Sequence, residues 1–524
     1  MEEILPEEQT PNPDLNETSP LEGKGKKSGS FLQDTLKLVL GTTFSQVLLA
    51  LSAPLLTRLF TPADMGTFTL FLSILAICTV VACLRYEFAI MLPKEEEEAA
   101  SMFGLACMLS LATSILIALL LWLGGEAFCK LLNAPELLSQ LWWIPPTMFF
   151  SGLFLALNFW DSRYRHYSRL AARRVINSLV QVVIQVGAGL IGWATAGSLI
   201  AGYFFGTAIS TGILAVESWR EHHILFQRSI RWNRMWAGVK RYRKFPLYDS
   251  GSALINSSAQ QLPPFLLSAY FNQAVVGFYG LGYRILRLPS MLVGTAIGQV
   301  FFQRAAQARH DGTLPGLVEE TMRRLVVLGM FPLLLLMIAG REIFSVVFGG
   351  AWAEAGVYTQ ILSLWTFFVF ISSPLSSLIN VLEKQEVGLV FNIVLFITRV
   401  ISLVIGGVLA DARLALTIFA ISGVALYAGL FLWIITAARA PMRRILVHLA
   451  RNFLLYLPLL VVISLVKWVF GASPWVILVV SIAAGVLYYA VVLIQDQALR
   501  DSLLKPLAKY GIRRGIKKQG TGDH

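Results

Sequence analysis

Charge is scarce in this chain, and no long polar stretch interrupts it. Only 14% of its 524 residues are Asp, Glu, Lys or Arg and the mean hydropathy is +0.66, which excludes an ordinary soluble protein. The longest interval between apolar runs is 218–249, too short for a soluble domain. Cysteine is rare: Cys78, Cys83, Cys107 and Cys129 form neither a CxxC pair nor a metal-ligand spacing and read as packing residues. The six histidines include no HExxH pair, so metal catalysis has no visible ligands, and no cofactor is expected. No GxxxxGKS/T loop occurs, which excludes an ATPase. A carboxylate deep within an apolar run is missing too, which weakens proton or sodium coupling of the usual kind. Residues 1–30 lack the basic start and apolar core of a cleavable signal. They are acidic and proline-rich, and are expected to form a disordered cytoplasmic tail.

What is present is a succession of apolar segments. A bilayer core about 30 Å thick takes roughly 20 residues of helix to cross, and helices satisfy their own backbone there. Segments of that length lie at 35–59, 66–92, 103–123, 140–160, 175–193, 197–217, 250–270, 275–303, 325–348, 357–382, 387–409, 413–437, 448–470 and 474–494. The expected fold is an all-α polytopic membrane protein with about 14 transmembrane helices. Most of the 43 basic residues fall in every second gap and the C-terminal tail. The opposite gaps and their margins hold only Arg58, Lys130, Arg341, Arg413 and Lys467. Both termini are therefore predicted to be cytoplasmic. The net charge of +12 reflects that bias and attraction to membrane lipids, with no nucleic acid implied.

An internal repeat divides the chain. Residues 59–70, LFTPADMGTFTL, align with 270–281, YFNQAVVGFYGL, matching Phe60 to Phe271, Ala63 to Ala274, Gly66 to Gly277 and Leu70 to Leu281. Further on, Glu126-Ala127-Phe128 matches Glu342-Ile343-Phe344 in the corresponding gap. An even number of segments intervenes, so the repeats are parallel. The expected organisation is an N-lobe at 31–217, a basic linker at 218–249, a C-lobe at 250–438, two added helices at 439–494 and a basic cytoplasmic tail at 495–524. Each lobe would hold six helices. Within the linker, Trp232, Trp236, Val239 and Tyr242 recur at helical spacing among Arg and Lys, as in a helix lying in the membrane interface. A solvated linker that only enforces topology is the alternative. The acidic run Glu95–Glu98 reads as a solvated loop.

Four arginines lie inside the apolar segments: Arg85, Arg284, Arg287 and Arg399. Arg284 and Arg287 fall roughly 14 and 18 Å into their segment at about 1.5 Å per residue. Spaced i and i+3, they share a face, and Pro289 with Gly277, Gly280 and Gly282 marks this segment for a bend. Each such charge costs about 3 kcal/mol against lipid, so all three deep arginines, Arg399 included, should face an internal cavity. Pairing with a carboxylate is the competing expectation. Asn392 lies one heptad before Arg399, while Gln46, Asn256, Gln260 and Gln261 either line the cavity or bond between helices. Arg85 either joins this set or snorkels; Arg58 suits the outer interface. Glu87 and Asp249 are the candidate coupling residues. Several guanidinium groups in one cavity suit a substrate bearing phosphate.

The stretches PLLTRLFTPADMGTFTLFLSI (54–74), LRYEFAIMLP (84–93), NFWDSRYRHYSRLAARRVINS (158–178) and GREIFSVVFGGAWAEAG (340–356) resemble the Wzx-like polysaccharide or oligosaccharide flippases. These form a branch of the multidrug/oligosaccharidyl-lipid/polysaccharide exporter superfamily. The resemblance implies two six-helix lobes around a cationic cavity, two extra C-terminal helices and a lipid-linked sugar repeat unit as cargo. Arg58, Arg85 and Glu87 stand in these stretches; the deep arginines are inferred from their depth alone. The reading is a non-enzymatic flippase of the bacterial inner membrane, moving undecaprenyl-diphosphate-linked oligosaccharide by alternating access for cell-surface polysaccharide such as O-antigen or exopolysaccharide. Polysaccharide polymerase and glycosyltransferases would be its partners. A multidrug exporter of the same superfamily and a membrane-embedded polymerase or ligase are the alternatives.

Overall fold

A computed structural model describes residues 28–495, all helices and short turns with no strand among them. Of the tails predicted at 1–30 and 495–524, residues 1–27 and 496–524 lie outside the described residues, and the first helix opens at Ser28, inside the stretch expected to be tail. The first half of the chain forms α1 (Ser28–Leu59), α2 (Pro62–Val80), α3 (Glu96–Leu131), α4 (Ile144–Arg163), α5 (Tyr167–Leu190), α6 (Ala196–Ser229) and the short α7 (Trp232–Arg241). The second half forms α8 (Ser250–Tyr270), α9 (Gln273–Leu286), α10 (Thr295–His310), α11 (Leu314–Val347), α12 (Ala353–Ser372) and the single turn α13 (Leu378–Val381). After these come α14 (Gln385–Val408), α15 (Ala412–Ala437), α16 (Met442–Trp468) and α17 (Pro474–Gln495).

Among the described residues, nine helices are long and apolar enough to cross a membrane: α2, α3, α6, α11, α12 with its flanking turns, and α14 to α17. The other predicted segments also fall on helix, at α1, α4, α5, α8 and α9 with α10, but some of these carry more polar side chains. In α5 these are Arg173, Arg174, Asn177, Gln181 and Gln185, and in α8 Asn256, Gln260 and Gln261. Polar side chains in such helices are tolerated where they face protein or water.

Local chemistry sets the helix ends. Thr61 and Asp64 form a reciprocal capping box at the start of α2, and Asn272 caps α9 at the equivalent point of the repeat. Pro332 in α11 has no N–H for the carbonyl of Leu328, and that carbonyl accepts instead from the Tyr489 hydroxyl at 3.0 Å. Tyr488 and Tyr456 donate to the carbonyls of Val327 and Phe331, so α16 and α17 are pinned to α11 around Pro332.

Three predicted segments are not continuous helices. The run 275–303 breaks after α9, where Pro289 precedes a π-helical turn at Ser290–Gly294. The run 66–92 ends as α-helix at Val80 and resumes as a 3-10 stretch at Tyr86–Met91. The run 357–382 likewise gives way after Ser372 to a 3-10 turn and α13.

The buried apolar clusters follow the halves of the chain. Two lie within residues 56–235, one joins residues 267–492, and a small fourth brings Ala53 of α1 against Leu281, Phe344, Phe348, Trp352 and Ala355. That fourth cluster lies at the end predicted to face outward. There Trp352 donates its indole N–H to the carbonyl of Thr57 at 2.8 Å.

Candidate functional site

In the first half, α2, α4, α5 and α6 line an open cavity of about 620 Å³. Its wall combines apolar Leu72, Leu75, Phe154 and Leu155 with polar Thr79, Ser151, Asn177, Tyr203 and Thr207, and one cation, Arg85. That size and this mixture of apolar wall with a few polar groups suit a small-molecule or headgroup site. Arg85 is placed there by an unusual backbone. Leu84 and Arg85 both adopt the left-handed conformation, at φ 48° and 65°, immediately before the 3-10 stretch. Such geometry costs on the order of 1–3 kcal/mol per residue and collects at functional sites.

Arg85 does not snorkel alone. Its Nε lies 3.3 Å from Asp249 Oδ2 and its Nη1 3.8 Å from Glu87 Oε1, with the guanidinium 5.4 Å from the centre of the Phe88 ring. Glu87 is buried, at 2% exposure, whereas Asp249 is half exposed. Asp249 ends the π-helical turn that runs into α8, so this pair ties the first half of the chain to the second.

Two of the three deep arginines of the second half, Arg287 and Arg399, sit on an aromatic wall, while Arg284 is half-buried on α9 without such a contact among the described residues. Arg287 caps α9 and lies 5.5 Å from the centre of the Tyr283 ring. Arg399 of α14 lies 6.0 Å from Trp365 and 5.7 Å from Phe419. The two arginines are joined through that wall: Tyr283 stacks on Tyr279 at 5.5 Å and on Trp365 at 5.9 Å, and Trp365 meets Phe419 edge-on at 4.9 Å. Among the described residues, none of Arg284, Arg287 and Arg399 forms an ion pair, and the buried Nε of Arg399 has no hydrogen-bond partner. An aromatic face holds a cation by about 0.5–2 kcal/mol without neutralising it. The charge remains available to an anion.

The other candidates are dispersed. Arg58 is exposed and donates to the carbonyl of Val346 at 3.4 Å, bridging α1 to α11. Asn392 is exposed and returns its amide to the Gly388 carbonyl of its own helix. Asn256 and Gln260 are exposed on α8, and Gln46 and Gln261 are half-buried. No hydrogen bond among the described residues joins these four to either arginine group. The site is thus two separate cationic groups, Arg85 on one half and Arg287 with Arg399 on the other. Sequence reasoning missed Asn177, Tyr203, Thr79, Tyr279, Tyr283, Trp365 and Phe419. Hydroxyls and aromatic rings in apolar helices carry no signal until their neighbours are known.

The acidic run Glu95–Glu98 is not a solvated loop. Glu96–Glu98 form the first turn of α3, and Glu97 accepts from Arg234 at 2.6 Å while Glu98 accepts from Arg241 at 2.8 Å and Tyr242 at 3.2 Å. Helix α7 is thereby held to the first half. The expected stripe of Trp232, Trp236, Val239 and Tyr242 splits, with Met235, Gly238, Val239 and Tyr242 against the protein and Trp232 and Trp236 exposed.

Residues 55–357, more than half of the chain, match the family described as polysaccharide biosynthesis protein. Curated relatives include the lipopolysaccharide biosynthesis protein WzxC of Escherichia coli (strain K12), 24% identical over 42% of this chain and 44% of the relative. The teichuronic acid biosynthesis protein TuaB of Bacillus subtilis (strain 168) is 23% identical over 29% and 32%. The succinoglycan biosynthesis transport protein ExoT of Rhizobium meliloti (strain 1021) is 24% identical over 67% and 69%. The chain thus spans less than half the length of the first two. Among solved structures, the lipid II flippase MurJ in an inward closed conformation superposes with a TM-score of 0.67 at 13% identity, over 89% of this chain and 99% of that one. A multidrug resistance MATE family transporter of the MOP superfamily, inward-facing, gives 0.59 at 13%, over 77% and 98%. At such identities the likeness establishes the fold.

Proposed function

The chain belongs to the polysaccharide biosynthesis protein family, and on that premise we propose that it flips undecaprenyl-diphosphate-linked oligosaccharide across the bacterial inner membrane. The single observation that carries this reading is the pair Arg287 and Arg399, placed within apolar segments with aromatic neighbours and no carboxylate partner among the described residues. A guanidinium placed there costs about 3 kcal/mol unless something hydrates or neutralises it. A diphosphate passing through neutralises it and stands in for its water, because its oxygens accept bidentate bonds from arginine. The 620 Å³ cavity beside Arg85 supplies hydroxyl and amide groups suited to sugar.

In this reading the chain crosses the membrane 14 times as two six-helix lobes with α16 and α17 appended, and both termini are cytoplasmic. The lobes rock about contacts at the outer end. The polyprenyl tail stays in the bilayer, since burying it in protein would gain nothing over lipid. Undecaprenyl diphosphate carrying a short oligosaccharide, incorporated into liposomes with the purified protein, tests the reading. Sugar should become accessible to an impermeant reagent on the opposite leaflet only when the protein is present. A triple variant, Arg284→Gln, Arg287→Gln and Arg399→Gln, that folds and still transfers sugar at the native rate would remove the basis for a diphosphate cargo.

A further inference from the structure

The predicted cytoplasmic end of α4 carries a buried ionisable cluster that the reading above does not use. Asp161 is completely buried, and its Oδ2 has no hydrogen-bond partner. Its Oδ1 lies 3.4 Å from the Ser218 hydroxyl of α6 and 3.6 Å from His166 Nδ1, itself unbonded. The backbone makes that approach. Arg165 turns left-handed at φ 61°, and the His166 N–H closes back on the Asp161 carbonyl at 2.9 Å, a helix-ending turn that folds His166 over the last turn of α4.

The cluster reaches water through His166. His166 is a quarter exposed, and its Nε2 lies 3.8 Å from Glu221 Oε1, which is about two-fifths exposed. Around it, Arg169 pairs with Glu221, Arg173 with Glu217, and His222 touches Tyr164 and Trp160. Glu96 from α3 and Arg163 from α4 act on Tyr164. A buried carboxylate needs close partners to stay charged. Here a hydroxyl and an imidazole lie just beyond good hydrogen-bond range, a geometry that sharing a proton would tighten.

The same helices build the cavity. Ser151 and Leu155 of α4, Asn177 of α5 and Tyr203 and Thr207 of α6 line it, and the Asp161–Ser218 contact joins α4 to α6 farther along both helices. We propose that Asp161 and His166 form a proton-binding site, fed from the aqueous edge through Glu221, whose occupancy sets the packing of α4 against α6 and thereby the shape of the cavity. The coupling half of this proposal rests on the transport reading; the proton site does not.

Histidine NMR in nanodiscs, with the His166 signal assigned by its loss in His166→Gln, reads the site directly. Asp161→Asn keeps the shape of a neutral carboxyl and removes its charge, so the midpoint of the His166 signal should lie at lower pH than in the native chain. An unchanged midpoint overturns the site. With the liposome assay, an imposed pH gradient should change the native transfer rate severalfold and leave the rates of Asp161→Asn and His166→Gln unaffected. A response retained in both variants overturns the coupling. A chain that transfers no sugar at all sinks the transport reading and leaves the titration result standing.

Discussion

Gly66 and Gly277 face each other across the junction of the two halves. A Cβ on Gly66 would lie 1.7 Å from the carbonyl oxygen of Gln273, and one on Gly277 would lie 2.0 Å from that of Pro62. In the aligned repeats Gly66 matches Gly277 and Pro62 matches Gln273, so the two clashes are equivalent contacts within one helix crossing. Alanine at either position must push α2 and α9 apart. Each of Gly66→Ala and Gly277→Ala should lower stability by about 1–3 kcal/mol. The double variant should cost less than the sum, since the first substitution already opens the contact. Thermal unfolding in detergent checks this; fully additive losses would mean that the two glycines do not share one interface.

Arginine at position 399 is held by two aromatic faces and keeps its Nε free. A lysine there would retain the charge while losing the planar fork and the stacking. Arg399→Lys is therefore expected to cut sugar transfer nearly as far as Arg399→Gln, by roughly tenfold or more if about 1.4 kcal/mol of cargo binding is lost. Trp365→Leu, which removes one of the two faces, should fall between native and Arg399→Gln. Lysine at native rates would show that charge alone is enough.

Arg85 has two roles that a charge swap separates. As a tie it faces Asp249 at 3.3 Å, and as cavity wall it faces whatever the cavity admits. Because Asp249 is half exposed, the tie contributes about 0.2–1 kcal/mol. Arg85→Glu should lose both roles. Adding Asp249→Arg should restore thermal stability to near native and leave transfer impaired, because the cation then stands on the turn before α8 and not at the cavity. Full recovery of transfer in the swapped pair would reduce Arg85 to a tie.

The helices were legible because a lipid-crossing segment must be long and apolar, and the arginines were legible because a charge in such a segment is conspicuous. The repeat located Gly66 and Gly277 before their contact was visible. What each arginine touches was not legible. Asp249 is distant in sequence from Arg85, and Trp365 and Phe419 look like any other aromatic residues of an apolar helix. The break before Tyr86 was hidden as well, because Leu84 and Arg85 are ordinary residues in a left-handed conformation that sequence assigns to glycine or asparagine. The acidic run misled because solvent and a basic partner satisfy carboxylates equally well on paper; its partners, Arg234 and Arg241, lie far along the chain.

Those last pairs give the final prediction. Glu96, Glu97 and Glu98 occupy the first turn of α3, where the helix dipole favours negative charge, and Glu97 and Glu98 meet the basic face of α7. Three further contacts fix the docking: Tyr86 donates to the Val239 carbonyl at 3.2 Å, Tyr242 donates to Glu98, and Gly238 lies so close to Met102 that a Cβ would meet its methyl at 1.8 Å. Each exposed ion pair contributes about 0.2–1 kcal/mol and is screened by salt. Glu97→Gln with Glu98→Gln should therefore release α7 without unfolding the bundle, and tryptic cleavage between Arg231 and Lys244 should rise severalfold at low salt. High salt should produce the same cleavage in the native chain. Trp232 and Trp236 point away from the bundle, so brominated lipid should quench them in the native protein. Quenching absent at both tryptophans would place α7 in water, as a topological linker held only by its acidic partners.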